Sequence, residues 1–201
     1  MSITNIVLAG VGGQGSVLAT QVLGRAASNA GMHVVTSEVH GMSQRGGTVL
    51  TGIRFGTEVW SASIPTGEAD FVVAFEQLEA ARHIEFLRPG GVLIMNDQRI
   101  QPSTESLKRA AYPDDVPALA QGHCRECVEV PALAIAQELG NPRLAGSVVL
   151  GTLSVYLEFP DQAWIDALTS TVPPKTVAAN LEAFRRGATW RVAREKEAVA
   201  F

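Results

Sequence analysis

Only two cysteines, Cys124 and Cys127, occur in 201 residues. One pair of thiols cannot staple a chain of this size, so a disulfide-built secreted scaffold is excluded. Nor can two thiolates hold an iron–sulfur cluster, which generally takes four. Charge is scarce as well, at 18% of residues against roughly 25% in ordinary soluble domains. The deficit is concentrated at one end. Residues 1–67 carry five charged side chains (Arg25, Glu38, Arg45, Arg54, Glu58) but 12 of the 19 glycines. A net charge of −4 leaves no basic stripe for nucleic acid. Long apolar runs are missing too. Leu144–Leu157 falls short of the roughly 20 residues that span a bilayer. The uncharged start lacks a positive end and is broken by glycines, unlike a signal peptide. No membrane partner is expected, and the location expected is cytoplasmic.

What is present is a chain that is 46% hydrophobic, enough for one well-cored domain spanning 1–201. Ile3–Ala9 reads as a buried strand. Ser16–Ala30 reads as a helix with Val17, Leu18, Val22 and Leu23 on one face, stopped by Gly31. Met32–Ser37 is a second strand, so the sheet is expected to begin as a parallel βαβ unit. Thr48–Phe55 and Glu58–Ser63 are expected to form a hairpin turning at Gly56-Thr57. Strand Ala69–Phe75, helix Gln77–Leu87, a turn at Pro89-Gly90-Gly91 and strand Val92–Asn96 follow. The fold class expected is α/β, Rossmann-like, a mostly parallel sheet flanked by helices with an antiparallel hairpin insertion. Later elements are a short edge strand at Cys127–Val130 and a helix over Pro131–Leu139. Leu144–Phe159 reads as a helix buried nearly all round, with Gly146 and Gly151 admitting close backbone approach. Two final helices, Asp161–Thr169 and Lys175–Gly187, precede a solvent-exposed tail, Arg191–Glu197.

Two loops carry the functional signal. Gly10-Val11-Gly12-Gly13-Gln14-Gly15 follows a strand and opens a helix, the context of a dinucleotide fingerprint. Glycine permits the tight turn and lets a phosphate reach the backbone, while the helix N-terminus attracts anions. Glu38, roughly 20 residues on, stands near the place of a ribose-binding acid. The same loop could instead only pack strand on helix or abut a partner. The second loop, Glu38–Gly47, crowds Glu38, His40, Ser43, Gln44 and Arg45 between glycines at a strand's carboxyl end. Arg45 suits bidentate pairing with a carboxylate or phosphate, and His40 can move protons near neutral pH. The plainer reading pairs Glu38 with Arg45 and leaves His40 capping a turn. His123-Cys124-Arg125-Glu126-Cys127 is a lone Cys-x-x-Cys without a second ligand pair, so two ordinary thiols are expected and no metal.

The paired loops, with Asp70–Glu76, the Glu79–Arg82 helix and Asn180-x-x-Ala183-Phe184-x-x-Gly187, resemble the gamma-type domain of 2-oxoacid:ferredoxin oxidoreductases. Within that family the chain is most similar to the small beta subunits of the indolepyruvate-type enzymes. The resemblance implies oxidative decarboxylation of a 2-oxo acid to its acyl-CoA with reduction of ferredoxin. It also implies that thiamine diphosphate, magnesium and iron–sulfur clusters belong to a larger partner subunit, and that this chain lies on the coenzyme A side. On that reading Gly10, Gly12, Gly13, Gln14 and Gly15, with Glu38, Ser43, Gln44 and Arg45, face coenzyme A or the partner. His40 and Arg45 are the candidate catalytic groups. The alternatives are a free-standing NAD- or FAD-binding oxidoreductase and a non-catalytic nucleotide-binding assembly module. Because a solvent-facing surface needs more charge than residues 1–67 offer, residues 10–15 and 38–47 are expected to lie under a partner.

Overall fold

Alternation and glycine punctuation build a six-stranded sheet. The computed structural model describes residues 3–40, 47–101, 112–113, 115–120 and 122–199, with backbone alone at 40 and 197–199. The strands are β1 (Thr4–Val11), β2 (His33–His40), β3 (Thr48–Gly56), β4 (Ala69–Ala74), β5 (Leu87–Asn96) and β6 (Glu126–Val130). The helices are α1 (Ser16–Asn29), α2 (Gln77–His83), α3 (Val116–Ala120), α4 (Ala132–Glu138), α5 (Ala145–Ser154), α6 (Asp161–Thr171) and α7 (Val177–Val199).

The sheet order is β2-β3-β1-β4-β5-β6. β1, β4, β5 and β6 pair in parallel, whereas β3 runs antiparallel to both β1 and β2. The α/β class is therefore as expected, and an antiparallel hairpin is present. Its location differs. The hairpin joins β2 to β3 across residues 41–47, with His40 opposite Val49. The expected partner Glu58–Ser63 forms no strand. Both edges of β3 are already taken, and Arg54 on β3 holds the segment as coil by donating from Nη1 to the carbonyls of Ser61 and Ser63, each at 2.9 Å. β1 and β2 run the same way but are not neighbours, because the short connection after β2 favours antiparallel pairing and places β3 between them.

Strand alternation sorts the core into two layers. Ile6 and Leu8 of β1, Val73 of β4, and Val92 and Ile94 of β5 pack with α1 and α4 through α7. Val7, Val72, Ala74, Leu93 and Met95 face α2 and α3. α1 buries Ala19, Val22, Leu23, Ala26 and Ala27. Val22 and Leu23 are buried as expected, whereas Leu18 stands at the rim, 36% exposed. Thr20 and Gly24 face Thr51 and Ile53 of β3. Leu87, expected to close a helix, instead begins β5, after a single 3₁₀ turn at Ile84–Phe86.

α5 is buried nearly all round, as expected, but it ends at Ser154 and not at the expected Phe159. Gly151 on α5 and Gly187 on α7 meet so closely that a Cβ on Gly151 would lie 1.9 Å from the Phe184 carbonyl oxygen. The expected exposed tail is corrected at its first residue. Arg191 is 6% exposed and donates to Glu126 Oε1 and to the Tyr156 hydroxyl, both at 2.6 Å. It thereby ties α7 to β6 and the end of α5, and the helix runs on to Val199 with residues 192–196 exposed.

α2 is anchored by two buried carboxylates. Glu76 caps the helix by accepting from the Glu79 N–H and also accepts from the Ile100 N–H and the Tyr112 hydroxyl. Glu79 accepts from Arg82 at 2.6 Å and Thr48 at 3.1 Å, with His83 Nε2 at 3.5 Å. Burial works against ionising Glu79, but His83 and Arg82 outweigh it and hold the carboxyl below its ordinary 4.5. A depressed folded pKa means the stabilisation is complete above the unfolded value and lost as pH falls through the folded one. Glu79→Gln is therefore expected to cost about 2 kcal/mol at pH 7. Urea midpoints of variant and parent should converge as pH is lowered below 4.5.

Candidate functional site

The glycine loop turns from β1 into α1 with Gly13 at φ +100° and Gly15 at φ +82°, a region that side-chain-bearing residues rarely enter. Gly15 occupies the position before α1, which has no side-chain cap and no acidic residue in its first turn. Some of the expected ligand donors are already engaged. The Gly12 N–H donates to the Gly47 carbonyl at 3.0 Å, tying this loop to the start of β3, and the Gln14 N–H donates to the Val11 carbonyl at 3.1 Å. Gln14 folds back on the loop. Its Oε1 accepts from the Val11 N–H at 2.8 Å, and its Nε2 donates to the Phe75 carbonyl at 3.0 Å. Gln14 thus braces the β1 loop against the end of β4 instead of pointing outward. The N–H groups of Gly13, Gly15, Ser16, Val17 and Leu18 meet no acceptor among the described residues. An uncapped helix start of this kind is an anion site in waiting.

That helix start opens onto a crevice of about 370 Å³ lined by Gly13, Gly15, Asn96, Gln98 and Arg143 among others. It lies at the carboxyl ends of β1, β4 and β5. Here α1 leaves toward one face of the sheet and α2 toward the other, the switch point where open α/β sheets bind ligands. Arg143 stands across from the glycines on a 3₁₀ turn, Pro142–Leu144, held by Asn141 Oδ1 accepting from the Arg143 N–H at 3.1 Å. Its guanidinium is exposed and has no partner among the described residues. Arg143 and the open N–H groups of Gly13, Gly15 and Leu18 therefore belong to the lining of one cavity, which suits a phosphate or carboxylate.

The other predicted site residues are distributed differently. Gly10 lies within β1, packed against Phe75 and Ser16. Glu38 is exposed on β2 and lines a separate cavity of about 430 Å³ with Thr20, Gln21 and Arg25 of α1. With β3 between β2 and β1, the acid stands two strand spacings, about 10 Å, from the glycine strand. A ribose-binding acid belongs on the neighbouring strand, so this geometry does not assemble the conventional dinucleotide pair. His40 ends β2, and Ser43, Gln44 and Arg45 lie outside the described residues. Asn96, Gln98 and Arg143 were not anticipated. The polar run Asn96-Asp97-Gln98 directly after an apolar strand was the available signal.

The two cysteines are unpaired and half-buried. Burial, with the neighbouring Cys124 and acidic groups, pushes the Cys127 thiol up to about 12, and burial also raises Cys124. Both therefore stay protonated near neutral pH. Among the described residues no three His, Cys, Asp or Glu side chains gather as a metal site, and no helix is long and apolar enough to cross a membrane.

Comparison with known proteins assigns the family. Residues 5–190 match the model of the pyruvate ferredoxin/flavodoxin oxidoreductase family. The indolepyruvate oxidoreductase subunit IorB of Thermococcus kodakarensis is 39% identical over 188 residues, covering 91% of this chain and 93% of its own. Among solved structures, the gamma subunit of keto/oxoacid ferredoxin oxidoreductase from Geobacter sulfurreducens matches with a TM-score of 0.71 at 24% identity, over 94% of this chain and 99% of that one. The 2-oxoglutarate:ferredoxin oxidoreductase of Magnetococcus marinus, solved with 2-oxoglutarate, coenzyme A and succinyl-CoA bound, matches with a TM-score of 0.77 at 22% identity. There the match covers 96% of this chain and 32% of the larger one. These two structural matches support the fold; the family match and the IorB identity support more. The chain belongs to the pyruvate ferredoxin/flavodoxin oxidoreductase family, as a subunit of a 2-oxoacid:ferredoxin oxidoreductase.

Proposed function

We propose that this chain is the single-domain, gamma-type subunit of an indolepyruvate-like enzyme and receives the phosphates of coenzyme A. The observation that carries this reading is the uncapped start of α1 facing Arg143 across one crevice. In the overall reaction the 2-oxo acid loses carbon dioxide, its acyl group joins the coenzyme A sulfur, and the electron pair released passes to ferredoxin. Thiamine diphosphate with magnesium and the iron–sulfur clusters supply that carbon and electron chemistry from a larger partner subunit. This chain's residues bind and orient. The open N–H groups of Gly13 and of residues 15–18, with the Arg143 guanidinium, hold the anion, while Gln14 keeps the glycine loop fixed against β4. The substrate assignment is supported by the indolepyruvate relative. Coenzyme A is supported by its presence in the larger Magnetococcus structure.

The surface beside the second loop suits a partner. Among the described residues β2 is an edge strand with one neighbour. It exposes Val39 at 62%, and His33 at its other end contacts Trp60, itself 84% exposed. Exposed apolar side chains along an unpaired edge are usually covered. His40, Ser43, Gln44 and Arg45 come next in sequence, and we place them at the junction with the larger subunit.

Co-expression with a thiamine- and cluster-binding subunit tests the reading. The expected result is a brown complex that oxidises indolepyruvate only with coenzyme A and ferredoxin present. Tight NAD or flavin binding by the chain alone, without co-purification, would contradict it. In the complex, Arg45→Ala is expected to raise the KM for coenzyme A or to release the subunit. Unchanged affinity and assembly would remove Arg45 from the site.

A further inference from the structure

The floor of the crevice is made of side-chain amides whose orientations are fixed by one another. Gln14 Nε2 donates to the Phe75 carbonyl at 3.0 Å and to Gln98 Oε1 at 3.2 Å. Asn96 Nδ2 donates to the same two acceptors, at 3.3 and 3.4 Å. Reversing any one of these amides would set N–H against N–H or oxygen against oxygen. Two groups are therefore left over. Asn96 Oδ1 is a buried acceptor with no partner among the described residues, on a residue 2% exposed. Gln98 Nε2 is a donor with no acceptor among the described residues. Asn96 shares the parity of Ile94 on β5, so its side chain rises on the α1 and α5 face of the sheet, where the crevice lies. A buried acceptor without a donor is rare in native structures and calls for an explanation.

We infer that Asn96 and Gln98 are specificity-determining residues that read a neighbouring donor and acceptor on the ligand. The N–H of the ligand would donate to Asn96 Oδ1, and its oxygen or ring nitrogen would accept from Gln98 Nε2. The amino edge of a purine presents this pair side by side, and a secondary amide presents it on opposite sides of one bond. Both occur in coenzyme A, one in the pantetheine arm and one in the adenine. The apolar walls, Leu18, Leu133 and Pro142, suit either a slender chain or a flat ring. This inference rests on the proposed anion site, because the phosphates at Arg143 set the depth to which the rest of the ligand reaches.

The test uses the assembled complex and competition against coenzyme A by three probes: pyrophosphate, 4′-phosphopantetheine and adenosine 3′,5′-bisphosphate. Asn96→Leu, which keeps the branched heavy-atom skeleton but removes the amide, is expected to weaken one of the two organic fragments on the order of tenfold and to leave pyrophosphate unchanged. The fragment that weakens identifies the source of the edge. Gln98→Met, at a half-buried rim position, is expected to weaken the same fragment and guards against a folding defect in the buried variant. If both variants keep parental affinity for both fragments while pyrophosphate still competes through Arg143, the inference fails and the anion site stands. If pyrophosphate does not compete, or competes equally after Arg143→Ala, the anion site itself is wrong and the inference falls with it.

Discussion

Gly151→Ala is expected to destabilise the chain by about 3 kcal/mol or more, at the upper end of overpacking changes. In a domain of this length that lowers the melting temperature by roughly 6–12 °C. The reason is the contact between α5 and α7. The new Cβ would stand 1.9 Å from the Phe184 carbonyl oxygen and 2.8 Å from its carbon. Backbone cannot step aside as a flexible side chain can, so the helices must separate. The contact is reciprocal, since a Cβ on Gly187 would lie 2.0 Å from the Val148 carbonyl oxygen. Thr152 beneath the crossing also donates to the Gly187 carbonyl at 3.4 Å. Gly146→Ala is the control. Its nearest atoms, Phe75 Cε1 at 3.5 Å and the Gln14 carbonyl oxygen at 3.7 Å, leave ordinary contact, and alanine gains up to about 1 kcal/mol of helix propensity. Thermal melts of the two variants should therefore diverge sharply although both replace a glycine in one helix.

Arg143→Ala is expected to raise the KM of the assembled enzyme for coenzyme A by about 10- to 100-fold, the range for losing a charged hydrogen bond. The KM for the 2-oxo acid and the kcat at saturating coenzyme A should hold, because Arg143 is proposed to bind the phosphates and not to touch the reacting carbon. The fold should tolerate the change, since the exposed guanidinium has no partner among the described residues. Arg143→Lys should recover part of the affinity as a point charge without the planar fork. The parental KM should also rise with salt more steeply than that of the alanine variant.

The glycine loop, the first helix and the buried fifth helix were legible because each is a local pattern: glycines at a strand end, an apolar period, small residues inside an apolar run. The strand order was not. Pairing β3 with both β1 and β2 depends on the short link after His40 and on Arg54 occupying the Ser61 and Ser63 carbonyls, both tertiary matters. The same insertion explains why Glu38 looked like a ribose acid. Its spacing from the glycines is conventional, but an intervening strand moves it into another cavity. On α1 the buried Val22 and Leu23 follow the apolar period, while Leu18 departs from it, standing 36% exposed at the rim. Arg143 carried no local signal at all. It becomes a site residue only because a 3₁₀ turn far along the chain is set opposite the glycine loop. Asn96 and Gln98 were within reach of a search for polar residues at the carboxyl end of each apolar strand.

Hydrogen–deuterium exchange of the assembled complex, with and without coenzyme A, tests the central claim most directly. The amides of Gly13 and of residues 15–18 have no intramolecular acceptor among the described residues, so they should exchange quickly in the free complex. Coenzyme A is expected to slow them, with protection also around residue 143, while residues 33–38 beside the Glu38 cavity stay unchanged. Protection confined to 33–38, or none at 13–18 under saturating coenzyme A, would contradict a phosphate site at the start of α1.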